Sequence, residues 1–340
     1  MFGLPHSMMG SPVQSRLSPE IGVLDRDGLA AIEAEWTDLW HRCLASPFQH
    51  PGWLLPWARH YAADRSFAVT LRLGGRLEAL APVFLWKGVL RLAGTGPSDQ
   101  GDWLLTKRAE AWAGVLFAEL AGVAADFRRI DLRQLPPGSS LRSALVPAGW
   151  TEAQGEGAPC HSARLAGADG LGAVSTKCRS NWRYAMRRIE REGGQVELVP
   201  AGDTPQAMEA LARCHALRWR ERGESGMLAD PLIARFLPDA AAILARAGVL
   251  RLYRLRFGEV TAAALMVLAG HATHAYYIGG FDPAHGRLSP SSALIGFAMR
   301  QAAREGAREF DFLRGAEPYK ARWGARAQPR WRRVLVREDA

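Results

Sequence analysis

Apolar residues recur at helical spacing over residues 29–44 (Leu29, Ile32, Trp36, Leu39, Trp40), which predicts a helix ended by Pro47-Phe48-Gln49-His50-Pro51. Residues 53–61 predict a second helix. Alternating, β-rich segments 67–73 and 77–86 flank Gly74-Gly75, the pattern of a hairpin. A strand at 89–93, a Gly-rich loop at 94–101, a helix at 109–121 and a short strand at 129–132 follow. Loop-forming residues occupy 136–138 and 154–159, and the second stretch marks a domain boundary. The order then recurs: helix 177–192, strand 195–199, helices 204–222 and 231–247, and strands 249–257, 260–268 and 272–279 joined by tight turns. Helix 290–305, strand 309–313 and a last strand at 331–336 complete it. Both halves place helices first, then antiparallel strands, then a helix and a strand, without a close sequence repeat.

The chain has 340 residues, 48% hydrophobic and 23% charged, an ordinary globular composition long enough for two domains. A net charge of +9 favours anionic partners without choosing among them, and arginine's excess over lysine also suits a GC-rich genome. Cys43, Cys160, Cys178 and Cys214 form no Cys-x-x-Cys pair and suggest neither a zinc site nor a disulfide framework. The histidines form no metal-binding spacing, so no metal is expected. Residues 1–18, rich in Ser, Pro, Met and Gly, read as disordered and carry no signal-peptide pattern. The longest apolar run, 262–269, is too short to span a bilayer. These readings together predict a soluble cytoplasmic protein without membrane insertion.

Candidate chemistry concentrates between residues 276 and 324. Ser289 and Pro290 are good residues for a helix start, followed by the small Ser291 and Ser292, with Arg287 nearby. Free N–H groups and a positive dipole end at such a turn suit a diphosphate. The segment lies between two strands, and Gly279 sits near the end of the first. After the second strand come Asp311, Arg314, Glu317, Tyr319 and Lys320, a set holding both proton acceptors and donors. Asp311 alternates with Phe310 and Phe312 and so faces away from their apolar side. A well-capped helix and a salt-bridged loop are the plain structural alternatives.

Lys177-Cys-Arg-Ser-Asn-Trp-Arg, Arg218-Trp-Arg-Glu-Arg-Gly, Gly279-Gly-Phe-Asp-Pro, Ser289-Pro and Phe310-Asp-Phe-Leu-Arg-Gly-Ala-Glu-Pro-Tyr-Lys-Ala-Arg-Trp-Gly resemble the CelD/BcsL branch of the GNAT acyltransferases. The resemblance covers about residues 20–335 and is most specific in the second half. It implies an α+β, FemAB-like fold of two tandem GNAT-like domains, each a mixed, mostly antiparallel sheet flanked by helices, over residues 19–160 and 161–340. It also implies transfer from acetyl-CoA or another acyl-CoA to a small-molecule or carbohydrate acceptor, in cellulose or exopolysaccharide biosynthesis. Ile278, Gly279, Arg287, Ser289, Ser291 and Ser292 would then hold the acyl-CoA. Glu317 would be the general base and Tyr319 the proton donor, with Asp311 beside them. In the GNAT phosphate loop Arg287 fits the first position, while Pro290 and Ser292 replace expected glycines, which removes N–H groups.

Arg179, Arg183, Arg187 and Arg191 recur every fourth residue, opposite Trp182, Ala185, Met186 and Ile189. A solvated helix face is the plain reading. Arg183 and Arg187, with Trp219, Arg314 and Lys320, are the candidates for an anionic or carbohydrate acceptor. A tRNA ligand, as used by the Fem transferases, is the less favoured alternative, and a non-catalytic assembly partner is the third.

Overall fold

The computed structural model describes residues 18–62, 65–123 and 127–338. The stretch 1–18 expected to be disordered lies outside the described residues except for its last. Elements of the first half are β1 (Pro19–Asp25), α1 (Arg26–Ala31), α2 (Glu33–Arg42), α3 (Pro51–Tyr61), β2 (Ser66–Leu73), β3 (Arg76–Trp86), β4 (Val89–Leu92), β5 (Leu104–Leu105), α4 (Ala113–Gly122), β6 (Arg129–Leu135) and β7 (Trp150–Glu156). The second half holds β8 (Cys160–Arg164), α5 (Thr176–Arg191), β9 (Gly194–Leu198), α6 (Thr204–Glu221), α7 (Pro231–Arg246), β10 (Leu250–Phe257), β11 (Val260–Ala269), β12 (Thr273–Phe281), α8 (Pro290–Arg304), β13 (Glu309–Arg314), α9 (Pro318–Arg322), β14 (Arg326–Gln328) and β15 (Trp331–Arg337).

Two sheets result, ordered β1-β2-β3-β4-β6-β15-β7, with β5 added on β3, and β9-β10-β11-β12-β13-β8-β14. The orders correspond position by position. Each sheet has a single parallel pair among the described residues, at the same place: β4 beside β6, and β12 beside β13. All other neighbours are antiparallel, so the fold is α+β with two mostly antiparallel sheets flanked by helices.

The chain passes between the sheets twice, and its last strand returns to the first sheet. β7 lies in the first sheet and β8, four residues later, in the second; β14 lies in the second and β15 in the first. A cut near residue 160 therefore divides the chain but not the sheets. Arg333 explains why β15 settles in the first sheet: it is fully buried, paired with Glu152 of β7, and donates to the Leu141 carbonyl.

Central strands are apolar on both faces because each sheet is covered on both. Ala68, Leu80 and Phe84 face a core shared by the halves, while Val69, Leu71 and Val83 face the outer core under α4. In β11, Ala264, Met266 and Leu268 face the shared core and Ala263, Leu265 and Val267 the outer one under α5 and α8. Trp36, Trp53 and Trp57 of α2 and α3 pack with Phe236 and Leu244 of α7 in the shared core. Each aromatic buries on the order of 150–250 Å², so the halves are joined by an apolar contact rather than a linker.

The helix expected over 29–44 is interrupted at Ile32, which ends α1 and begins α2. The stretch 154–159, read as a loop from its Gly and Glu content, belongs partly to β7. Its residues are mostly exposed and polar, and only pairing with β15 makes them a strand. No helix among the described residues is long and apolar enough to cross a membrane.

Candidate active site

β12 and β13 pair over three positions only, Thr273 with Glu309, His274 with Phe310 and Ala275 with Asp311. Beyond Ala275 the strands part, and β12 runs on to Phe281 without a strand on that side. A β-bulge against β11 lies at Tyr277, where Ile278 opposes Met266 but Tyr276 opposes Val267. β13 meanwhile bends at Leu313, whose φ is 61°. Bulges and left-handed residues re-aim a strand, and here they hold open a gap between β12 and β13. Ile278 is buried toward the shared core. Gly279 lies against the Tyr276 hydroxyl, and Gly280 lets α6 approach so closely that a Cβ there would sit 2.2 Å from the His215 nitrogen.

α8 begins beside this gap. Pro290 occupies its first turn as expected, but Ser289 does not cap it. That residue is left-handed (φ 55°, ψ 51°), and its side chain makes no capping hydrogen bond. The Ser291 and Ser292 N–H groups have no partner among the described residues, and both residues are half-buried. Uncapped N–H groups at a helix start attract an anion. Arg287 does not add its charge there. Its guanidinium binds Glu192 at 2.8 Å and its carbonyl accepts from Arg188 at 3.1 Å, which ties the turn before α8 to α5. The pair is exposed and contributes little to stability.

α5 buries Trp182, Ala185 and Ile189, as its periodicity predicts. The Trp182 indole donates to the Ala293 carbonyl at 3.2 Å and packs on Gly296, so α5 clamps α8. Arg183 and Arg187 lie on the exposed face with no ion-pair partner among the described residues. Trp219 is half-buried on α6, packed on Gly226 with the Arg222 guanidinium 5.4 Å above its ring.

The residues after β13 separate into different roles. Lys320 does not face an acceptor. It is buried, its ammonium donating to the carbonyls of Leu313 (3.3 Å), Arg314 (2.5 Å) and Gly315 (3.1 Å) and lying 2.9 Å from Glu317. The side chain thus fastens the end of β13. Burial pushes the Glu317 carboxyl up, but the hydrogen bond and charge of Lys320 outweigh it and leave the pKa below the usual range. Glu317 is therefore a weaker base than its position in the sequence promises.

Tyr319 shares a hydrogen bond with Tyr276, and Arg218 of α6 reaches the same Tyr276 phenol. Phe312 lies between the two rings, 6.1 Å from each. Burial raises both phenols, so both stay protonated at neutral pH. Tyr276 and Arg218 were not among the site residues expected from the sequence; the signal available was that Tyr276 opens the stretch 276–324 and Arg218 opens the motif Arg218-Trp-Arg-Glu-Arg-Gly.

Asp311 stands at the apex of the gap, the last position of β13 paired with β12. It faces the first half, as its alternation with Phe310 and Phe312 predicts, but there it is buried. It accepts from the Leu313 N–H (2.7 Å) and Gln100 Nε2 (2.9 Å), with Arg330 at 3.6 Å. Burial raises its carboxyl to about 6, against the lowering effect of these donors. Arg314 binds Asp99 through its guanidinium and its backbone N–H, and donates to the Gly96 carbonyl at 3.1 Å, docking the loop 94–101 of the first half. Gln100, Asp99 and Arg330 become neighbours of the site only through the packing of the halves. No group of three His, Cys, Asp or Glu side chains able to hold a metal occurs among the described residues.

Residues 176–321 match the model of the family Acetyltransf_6, acetyltransferase (GNAT) domain. No curated protein matches the chain. Among solved structures, FemX is similar at 11% identity and TM-score 0.62, over 92% of this chain and 96% of FemX. L-PGS from Bacillus licheniformis is similar at 12% identity and TM-score 0.58, over 93% of each chain. The DUF2156 C-terminal domain assigned to a lysylphosphatidylglycerol synthetase of Agrobacterium fabrum is similar at 13% identity and TM-score 0.60, over 90% of this chain and 92% of that one. These likenesses span both sheets and establish the fold. From α5 to α9 the chain thus matches the GNAT acetyltransferase model, within a two-sheet fold similar to that of FemX, and it is an enzyme of the transferase class.

Proposed function

We propose that the protein transfers an acyl group, acetyl in the simplest case, from acyl-CoA to an amine or hydroxyl of a small or carbohydrate acceptor. The observation that carries this reading is the parting of β12 and β13 after three residue pairs, beside the free N–H groups that begin α8. An extended thioester arm fits a gap between strands, and a diphosphate fits uncapped N–H groups. Ser291 and Ser292 would hold the phosphates, and the bulged segment Tyr277–Gly279 would meet the thioester carbonyl. Acyl-CoA supplies the activated carbonyl. The chain's own part is to orient the acceptor, remove its proton and protonate the departing thiolate.

Asp311 suits the first proton transfer best, because its pKa of about 6 lies nearest neutrality. Tyr319, held protonated, suits the second. Glu317 and Lys320 fasten the end of β13, while Arg218 and Tyr276 position Tyr319. The resemblance to the CelD/BcsL family makes a sugar or precursor of a surface polysaccharide the expected acceptor and a cytoplasmic setting the expected one.

Calorimetric titration with acetyl-CoA tests the donor. Micromolar binding is expected, weakened at least tenfold by Ser292→Asp, which sets a negative charge at the helix start. Absence of binding by the unmodified protein would sink the reading. The free guanidiniums of Arg183 and Arg187 favour one alternative, a tRNA-borne donor. Several phosphate contacts would give a steep loss of affinity with salt, and tRNA binding without acetyl-CoA binding would select it.

A further inference from the structure

The first sheet repeats the parted strands of the second. β4 and β6, at the position that β12 and β13 hold in the other sheet, pair over only two positions, Val89 with Arg129 and Leu90 with Ile130. Between their diverging ends, from Arg91 to Ala93 on one side and from Arg133 to Gln134 on the other, lies a cavity of about 350 Å³. That volume is at the small end of ligand sites. The loop 94–101 forms another wall, and Gly101 is needed there because a Cβ would meet the Arg133 carbonyl at 2.7 Å. Arg314, from the end of β13, also lines the cavity, as does Gln100, which binds Asp311. Gln100 thus links the cavity wall to the residue assigned above as the base.

Its polar lining is dominated by donors. The Trp57 indole N–H, the Tyr61 hydroxyl and the Arg91 Nε are buried atoms without a hydrogen-bond partner. Trp57 is 0% exposed. Unmet buried donors cost free energy, and a native structure that keeps three of them beside one cavity calls for an acceptor there. Charge points the same way. Arg91 lies among Arg129, Arg133 and Arg332, with the Asp131 carboxylate beside it. That carboxylate is already bound by Arg332 (2.7 Å) and Arg133 (2.6 Å) and lies only 4.0 Å from Arg91. Burial and the neighbouring guanidiniums push the Arg91 pKa down, which an oxyanion would relieve. Stacked Trp57 and Tyr61, 5.8 Å apart at 6°, and half-exposed Trp86 supply flat apolar walls.

We propose that the β4–β6 gap is the acceptor site, binding a phosphate- or carboxylate-bearing ring of monosaccharide size, with Arg91, Trp57 and Tyr61 on the oxyanion. As an acceptor site it rests on the transfer reading above; as an anion site it does not.

The test is calorimetric titration of the full chain with glucosamine 6-phosphate, glucuronate, glucose and vesicles containing phosphatidylglycerol, each for the unmodified protein, Arg91→Ala and Tyr61→Phe. Binding of glucosamine 6-phosphate or glucuronate but not glucose is expected, weakened at least tenfold by Arg91→Ala and about three- to tenfold by Tyr61→Phe, which removes one hydroxyl and keeps the ring. Binding confined to the vesicles and lost in both variants would assign the oxyanion to a lipid headgroup. Binding of none of the probes, or binding unchanged by both variants, would overturn the site. Acetyl-CoA titrations in parallel separate the two proposals. Normal acetyl-CoA binding with no anion binding removes this inference alone; the reverse removes the acyl-CoA reading and the acceptor role, and leaves the anion site.

Discussion

Asp311→Asn should separate stability from activity, because the carboxylate assigned to proton transfer is costly to keep charged. The residue is 2% exposed, and its carboxyl is raised from 3.8 to about 6. At about 1.4 kcal/mol per pH unit, that shift corresponds to roughly 3 kcal/mol of unfavourable free energy once the group is ionised. The figure already contains the attraction of Arg330 and the Leu313 and Gln100 hydrogen bonds. The sign follows from proton uptake. Between pH 3.8 and about 6 the folded state binds more protons at this site than the unfolded chain. Its contribution is therefore most favourable below the unfolded value and is lost as pH rises through about 6. Asparagine matches the neutral form in shape and lacks this loss. In urea unfolding, Asp311→Asn is expected to be more stable than the unmodified protein by about 2–3 kcal/mol at pH 8, with the gap closing near pH 4. Asp102, half-buried and raised by burial to about 7, adds a slope of the same sign, but it is common to both proteins and cancels in the difference. Acyl transfer at pH 8 should fall about 10²–10⁴-fold. A variant that is less stable at pH 8, a gap that does not change with pH, or a variant with full turnover would each refute the reasoning.

Other consequences follow from the same packing. Lys320→Met strips three carbonyls and Glu317 of a buried ammonium, and urea unfolding should show a loss of about 3–5 kcal/mol. Glu317→Gln, at the exposed end of that pair, should lose less than about 1 kcal/mol and less than tenfold in turnover. Tyr319→Phe should keep the melting temperature within a few degrees while slowing transfer about 10²-fold, measured by release of free CoA thiol. Gly280→Ala places a methyl 2.2 Å from the α6 backbone. It should destabilise by about 1–3 kcal/mol or more, seen as a drop in the urea midpoint.

Much of the second half was legible because its signals are local. The arginine ribbon and the apolar stripe of α5 differ by helical phase alone, and the structure exposes one and buries the other. Pro290 marks the start of α8 because its fixed φ and missing N–H suit the first turn and little else. The side chains after β13 were harder to read. Sequence places Glu317 three residues before Lys320, which suggests a pair, but not that the lysine turns inward onto three carbonyls. Likewise Arg287 lies beside the start of α8 in the chain, yet its partner is Glu192, 95 residues away. β7 carried no strand pattern of its own, since its partner β15 lies 181 residues from Glu152 along the chain.

Periodicity and turn chemistry in the sequence determined most of the helices and the central strands, and the motifs of the last third pointed to acyl transfer, because such preferences act over a few residues. Only the tertiary structure decided that β15 of the second half joins the first sheet, that Asp311 is buried against Gln100 and Arg330, and that each sheet parts at its parallel pair. Those facts depend on contacts between residues from 19 to more than 200 positions apart, and on desolvation inside a core that neither half encloses alone.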